Sequence, residues 1–306
     1  MVSSIRESVA DPITAVDARH GARAPERLAP PARRAVWRQF ARRMTAVAGL
    51  VLAALVVIGA FAAPLIAPAD PLAMSPRRLG LPSAAAWLGT DQFGRDLLSR
   101  LLHGARVSIL VAFAAVGAAV LLGTSVGLVA GYLGGKIDQV LMRCIDVLMA
   151  FPTLLLALAV VATLGSSLGN LVLAIAIAYV PVFSRVVRGG AISVKPLEFV
   201  QASRALGASD ARVMLRHILP NVTAPIIVQA TFNVSTAIMV EAALSFLGLG
   251  VQPPQPSWGS MLSEARSFME LDPWLAIAPG AAITVAVLGF NLFGDGLRDV
   301  LDPRSS

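Results

Sequence analysis

Glu198-Phe-Val-Gln-Ala-Ser-Arg-Ala-Leu-Gly-Ala-Ser-Asp-Ala-Arg-Val-Met-Leu-Arg-His-Ile-Leu-Pro220 is a polar, basic interruption between two strongly apolar segments. Ala202, Ala205 and Leu206 favour helix, Gly207 permits a turn, and Ser209 with Asp210 is suited to cap a second helical piece. The spacing therefore predicts two short helices about a central turn, with Pro220 stopping the second or opening the next span. Ala205, Leu206, Ala208 and Val213 supply the apolar contacts with which such a unit would lie across a groove in another protein. An ordinary amphipathic connector is the other reading these residues allow.

The segments on either side decide the class. The chain has 306 residues, of which 56% are hydrophobic and only 14% charged, and its mean hydropathy of +0.74 lies outside the range of soluble domains. Six apolar runs, near 44–66, 106–132, 139–164, 171–188, 221–247 and 274–293, are each long enough to cross a hydrocarbon layer of about 30 Å as a helix. None shows the period-two alternation of a barrel strand, so the expected fold is an all-α polytopic membrane protein with six transmembrane helices. Residues 1–43 read as a flexible basic tail, and 67–105 as an external loop with a short amphipathic helix. Residues 106–293 read as a five-helix core containing the loop 189–220, and 294–306 as a C-terminal tail.

Charge distribution sets the orientation. The tail carries nine Arg, and the loops on its side add Lys136, Arg143 and the basic residues from Arg185 to Arg216. The opposite side holds only Arg77, Arg78, Arg95, Arg100, Arg106 and Arg266. The positive-inside rule then puts both termini and the 189–220 loop in the cytoplasm. Arg33, Arg34, Arg38, Arg42 and Arg43, with Trp37 and Phe40 among them, make a juxtamembrane patch suited to an anionic leaflet or to topological anchoring. The net charge of +7 flanks apolar spans and forms no basic domain with interleaved aromatics, so a nucleic-acid partner is not expected. The single cysteine, Cys144, offers no disulfide or cysteine metal site.

Within the spans, Gly123, Gly127 and Gly131 form a small-residue stripe that admits a close neighbour, either inside the bundle or in a second subunit. Pro152, Pro181, Pro225 and Pro279 favour kinks. Thr90 or Asp91 is expected to cap a short outer helix whose apolar face is Leu97, Leu98, Leu101 and Leu102. Arg143 and Asp146, three apart, are expected to pair with each other. Glu241 has no basic residue one turn away and follows Asn233, Ser235 and Thr236 on the same span. A wall position in a polar cavity, shared with Asn233, is the expectation, with a buried protonated structural carboxyl as its rival. Gly294 and Gly296 are expected to end the last span.

The interrupting stretch resembles the "EAA" loop of permease subunits of bacterial ATP-binding-cassette importers. Gly207 and Leu219-Pro220 match, whereas Gln201-Ala202-Ser203 stands where that family carries Glu-Ala-Ala, and His217 takes a position that is often aliphatic. The runs 88–96, 245–259 and 290–304 are similar to the peptide and nickel branch of those permeases. This resemblance implies a loop that docks in a cleft of a cytoplasmic ATPase through Gln201, Ala202, Ser203, Ala205, Leu206, Gly207, Leu219 and Pro220. It further implies a second, non-identical permease, two ATPase subunits that bind ATP and Mg, an external substrate-binding protein, and residence in the bacterial inner membrane. The implied cargo is a di- or oligopeptide, with nickel or glutathione as alternatives.

No Gly-x-x-x-x-Gly-Lys-Ser/Thr loop occurs, so the chain has no such cradle for nucleotide phosphates, and it is not expected to be an enzyme or to bind a cofactor itself. His20, His103 and His217 are far apart, and no His-Glu-x-x-His pattern is present. An ion-coupled secondary transporter would need paired repeats and several deep carboxylates, and Glu241 is alone.

Overall fold

Backbone groups in hydrocarbon must find partners within their own segment, and this chain answers with helices. The computed structural model describes residues 40, 41 and 43–301. In chain order the helices are α1 (Met44–Ile66), α2 (Leu97–Leu133), α3 (Gly135–Met149), α4 (Thr153–Leu164) and α5 (Leu168–Val194). They continue as α6 (Glu198–Ala205), α7 (Asp210–Val213), a π turn Met214–Ile218, α8 (Leu219–Phe246), α9 (Trp258–Ala265) and α10 (Trp274–Leu301). Among the described residues the only β pairing is two isolated bridges. Among the described residues five helices are long and apolar enough to cross a membrane, six when α3 and α4 count as one bent span.

That bend is the first departure from expectation. The run 139–164 does not form one rod: α3 and α4 meet at 89°. Phe151 precedes Pro152, whose ring disfavours helix in the residue before it and whose nitrogen has no hydrogen to donate, so the span breaks and Pro152 becomes the N-cap position of α4. The outer helix is the second. Leu97 to Leu102 open α2 itself instead of a separate surface helix, and the cap is Asp96, whose carboxylate accepts from the Ser99 amide at 2.7 Å, not Thr90 or Asp91. Gly104 lies inside that helix, with Ser257 and Met261 against it. The third departure is α10, which runs through Gly294 and Gly296 to Leu301. Those glycines serve packing, Gly294 beneath the Phe232 ring and Gly296 against Ala46.

The centre of the bundle is the pair α2 and α5. A Cβ added at Gly123 would come within 2.6 Å of the Phe183 Cβ, and one at Gly131 within 2.8 Å of the Ala191 Cβ. The glycine stripe therefore belongs to the interior of this chain, and α5 answers it with the buried Phe183, Ser184, Val187 and Ala191. Around this pair α8 and α10 pack on each other, and α1 lies along α10, where Gly49 and Gly289 permit close approach.

Charges join separate elements. Asp146 pairs with Arg185 of α5 at 2.8 Å, not with Arg143, and Asp138 takes the Arg188 guanidinium in two contacts of 2.5 and 2.6 Å. At the end of the bundle far from the 198–220 stretch, Arg95 holds Asp91 at 2.6 Å and Glu264 of α9 at 2.7 Å, while Arg100, 1% exposed, reaches the same two carboxylates. Of the basic patch, Arg43 pairs with Asp299 and Phe40 packs edge-on against Phe293; Arg33, Arg34, Trp37, Arg38 and Arg42 lie outside the described residues.

The α2–α5 contact makes a direct prediction. Gly123→Val should overpack the seam and destabilise the folded chain by about 1–3 kcal/mol. Gly117→Ala, at a glycine with nothing within 4 Å, should leave stability unchanged or raise it slightly. Thermal unfolding of the two purified variants in one detergent checks the difference; equal melting would place the stripe outside a tight contact.

Candidate coupling site

The 198–220 stretch folds as its residues direct. Glu198 sits in the first turn of α6 and Arg204 in its last, each complementing the helix dipole. The chain then turns at Leu206 and Gly207, where Gly207 has φ +81°. A Cβ there would meet nothing within 4 Å, so glycine is required by the backbone conformation and not by crowding. Ser209 accepts from the Arg212 amide at 3.4 Å and starts α7. Leu219 and Pro220 open α8 directly after the π turn, whose register change stands just before the proline that has no N–H to donate.

The unit has an inner and an outer row. Val200, Val213 and Ile218 are fully buried against the bundle, so Val213 is an internal anchor and not, as its sequence position suggested, a contact for another protein. Leu206 stands 88% exposed at the tip, and Ala202, Ala205 and Pro220 are also exposed. Gln201 is exposed too, and its amide donates to the Lys195 carbonyl at 2.9 Å, closing α6 back onto the end of α5. A carboxylate at that position has no hydrogen to give, so Gln201 performs here a task the usual glutamate could not. Ser203 meets His217 Nε2 at 3.1 Å, tying the first arm to the π turn, and Phe199 lies against the same imidazole.

Sequence reasoning missed the residue beneath this loop. Tyr132, at the end of α2, is buried; its hydroxyl donates to Asp210, and Lys195 and Arg204 lie over its ring. An aromatic next to the Gly134-Gly135 break, at the end of a span, was the available signal.

The two cavity candidates are placed elsewhere. Glu241 is 0% exposed: Ser245 donates to its Oε1 at 2.7 Å, and the Ser108 and Ser257 hydroxyls face the same carboxyl. Ser108 Oγ accepts from the Trp258 amide and Ser257 Oγ from the Ser260 amide, and the Glu241 Oε2 is buried without a hydrogen-bond partner among the described residues. Glu241 thus joins α2, α8 and the cap of α9, enclosed among the described residues. Asn233, 5% exposed, accepts from Gln229 at 3.0 Å and lies two turns away. A cleft of about 480 Å³ between α5, α8 and α10 is lined by Val186, Pro225, Val228, Gln229, Phe232 and Arg298, with neither candidate among them.

Comparison with known proteins bears on this architecture. Residues 123–306 match the model for the binding-protein-dependent transport system inner membrane component, and residues 32–82 the N-terminal TM domain of oligopeptide transport permease C. The chain is 48% identical over 272 residues to the dipeptide transport system permease protein DppC of Alkalihalophilus pseudofirmus, covering 89% of this chain and 90% of that one. It is 45% identical to the glutathione transport system permease protein GsiD of Pectobacterium atrosepticum, covering 89% of this chain and 91% of that one. To the di/tripeptide transport system permease protein DppC of Pseudomonas aeruginosa it is 46% identical, over 88% and 91%. Among solved structures, an amino acid ABC transporter crystallised with histidines superposes with a TM-score of 0.50 at 19% identity, covering 65% of this chain and 92% of that one; this likeness is one of fold. A helical membrane bundle interrupted once by an outward-facing helical hairpin, matched over most of its length by these permeases, places the chain in the family of binding-protein-dependent transport system inner membrane components.

Proposed function

We propose that this chain is one of two permease subunits of an ATP-driven peptide importer, and that its 198–220 loop is the contact with an ATPase subunit. The observation that carries this reading is Leu206, a large apolar side chain 88% exposed on a hairpin whose inner row is fully buried. A large apolar side chain held out on a pinned turn, with Phe199 and Leu215 of the same stretch also exposed, is the form of a groove-filling contact. Because the chain has no phosphate-binding loop, ATP and Mg would be bound by separate ATPase subunits, and an external binding protein would deliver the cargo. The second permease is taken to be non-identical. Closure and reopening of the ATPases would move the loop as a lever and expose the path between the permeases to each side in turn.

A di- or oligopeptide is the cargo this reading favours, supported by the dipeptide, di/tripeptide and glutathione names of the relatives. Those three share a peptide-like backbone, which nickel lacks. Mass spectrometry of the ligand that co-purifies with the cognate binding protein tests this; a metal ion without a peptide would overturn it. The Lys and Arg asymmetry supports placing both termini and the loop in the cytoplasm of an inner membrane. A membrane-impermeant maleimide should reach Gln255→Cys in intact cells whose outer membrane is permeabilised and should fail to reach Glu198→Cys. The reverse pattern would invert the topology.

The loop assignment has its own tests. Leu206→Asp would set a charge in the groove, and the ATPase subunits should be lost on co-purification, with binding weakened by at least about 2 kcal/mol. Gly207→Val forces a β-branched residue to the φ of +81° and should distort the turn. Its expected signature is ATP hydrolysis that no longer responds to loaded binding protein while the permease pair stays in the membrane. If both variants transport normally and retain their ATPases, the loop is a connector only.

A further inference from the structure

The buried face of the loop is not uniform. Val200 and Val213 hold it through apolar contacts, which resist separation but have no fixed direction. Tyr132 is different, because it reaches three elements at once. Its hydroxyl donates to Asp210 at the start of α7, the Arg204 guanidinium in the last turn of α6 lies 5.9 Å from its ring centroid, and the Lys195 ammonium at the end of α5 lies 5.6 Å from it. Both cations are within the range, about 6 Å, at which a ring face attracts them. The Tyr132 side chain is 2% exposed, while its partners Arg204 and Asp210 are exposed.

We propose that Tyr132 is the positioning residue through which movement of the 198–220 loop reaches the membrane helices, driving α2 and α5 as one body. This rests on the loop being the ATPase contact. Tyr132 ends a helix of 37 residues without an internal proline, roughly 55 Å long at 1.5 Å per residue. Beside it begins the glycine stripe, where Gly131 and Gly127 seat on the backbone of Arg188 and on Ala191 and Val187. A displacement at Tyr132 therefore cannot be taken up by sliding between α2 and α5. At its other end α2 carries Ser108 against Glu241, and Gly104 faces Ser257 at the start of α9. Both arms of the hairpin thus grip the foot of a rod whose head abuts the helix closing the opposite end of the bundle.

The test uses the assembled transporter, both permeases with their ATPases, in lipid vesicles and a Cys144→Ser background. Maleimide labelling of Gln252→Cys, at an exposed position of the far-end loop, is compared with and without ATP-Mg trapped by vanadate. The trapped nucleotide should change the labelling rate in the parent. Tyr132→Phe keeps the ring and both cations and loses only the hydroxyl; it should shrink that change by about fivefold while the ATPases remain bound, and Tyr132→Leu should abolish it. Asp210→Ala should reproduce the loss, and Asp210→Asn, which still accepts a hydrogen bond, should recover most of it.

If both Tyr132 variants keep the full nucleotide-dependent change while Leu206→Asp abolishes it, the loop assignment stands and Tyr132 is not its transmitter. A Tyr132→Phe variant that loses its ATPases or melts in parallel with the labelling loss would reduce the residue to structural support, and the inference fails. Should Leu206→Asp itself retain ATPases and response, the loop assignment falls and takes this inference with it.

Discussion

The close approach of α2 and α5 is the constraint from which the rest of the bundle takes its place. Lipid tails are as apolar as leucine, so helices in a membrane gain little from hiding apolar surface from one another and associate through contact packing and hydrogen bonding. Gly123, Gly127 and Gly131 remove the side chains that would hold the backbones apart, and α5 fills the space with Phe183, Val187 and Ala191. Once the pair is set, Gly131 near the end of α2 lies against Ala191 near the end of α5, and the hairpin between α5 and α8 must fold beneath both. The position of the loop is thereby a consequence of helix packing some distance from it.

Polar groups are distributed to join elements that packing alone would leave free to slide. Arg100 and Arg95 are nearly buried, and both share Asp91 and Glu264, so each guanidinium has two carboxylates. Desolvating one such ion costs several kcal/mol, and truncating either partner would strand the other, so the network specifies how the 67–96 segment sits on α9 more than it adds stability. The Asp146–Arg185 pair is about half exposed on both sides and contributes about 0–1 kcal/mol. Its effect is to hold the amphipathic α3, of which only Ile145 is buried, at a definite angle to α5. Glu241 is held by one hydroxyl, that of Ser245 on its own helix, with its Oε2 buried and without a partner among the described residues.

The loop shows how a departure from a family pattern is absorbed by local chemistry. Glutamine at position 201 cannot present a charge to a partner, but its amide reaches the Lys195 carbonyl and caps the end of α5. The His217 imidazole, bulkier than an aliphatic side chain, packs beside Phe199 and meets Ser203. Both side chains are engaged within the hairpin while leaving Leu206 and the Gly207 turn free for an external contact.

The sequence by itself determined the helical membrane class, because apolar runs of some twenty residues have no other way to satisfy their backbones in lipid. It also determined the hairpin, since Gly207, Ser209 and Pro220 act through their own φ angles, caps and missing donors. Which surfaces meet was another matter. Pro152 signalled a disturbance, and only packing made it an 89° break. Gly294 and Gly296 read as terminators, yet Phe232 and Ala46 lie where their side chains would be. Asp146 had Arg143 one turn away on its own helix and took Arg185 from another. Glu241 looked like a cavity group because the serines near it, Ser108 and Ser257, are far from it in the chain. Tyr132 carried only a weak signal, an aromatic beside the Gly134-Gly135 break; its contacts are with Asp210, Lys195 and Arg204, which converge on it only after α2 and α5 have packed. Local geometry is written in neighbouring residues, whereas partnership between distant ones is settled by the tertiary fold, where burial leaves each polar group only the partners within reach.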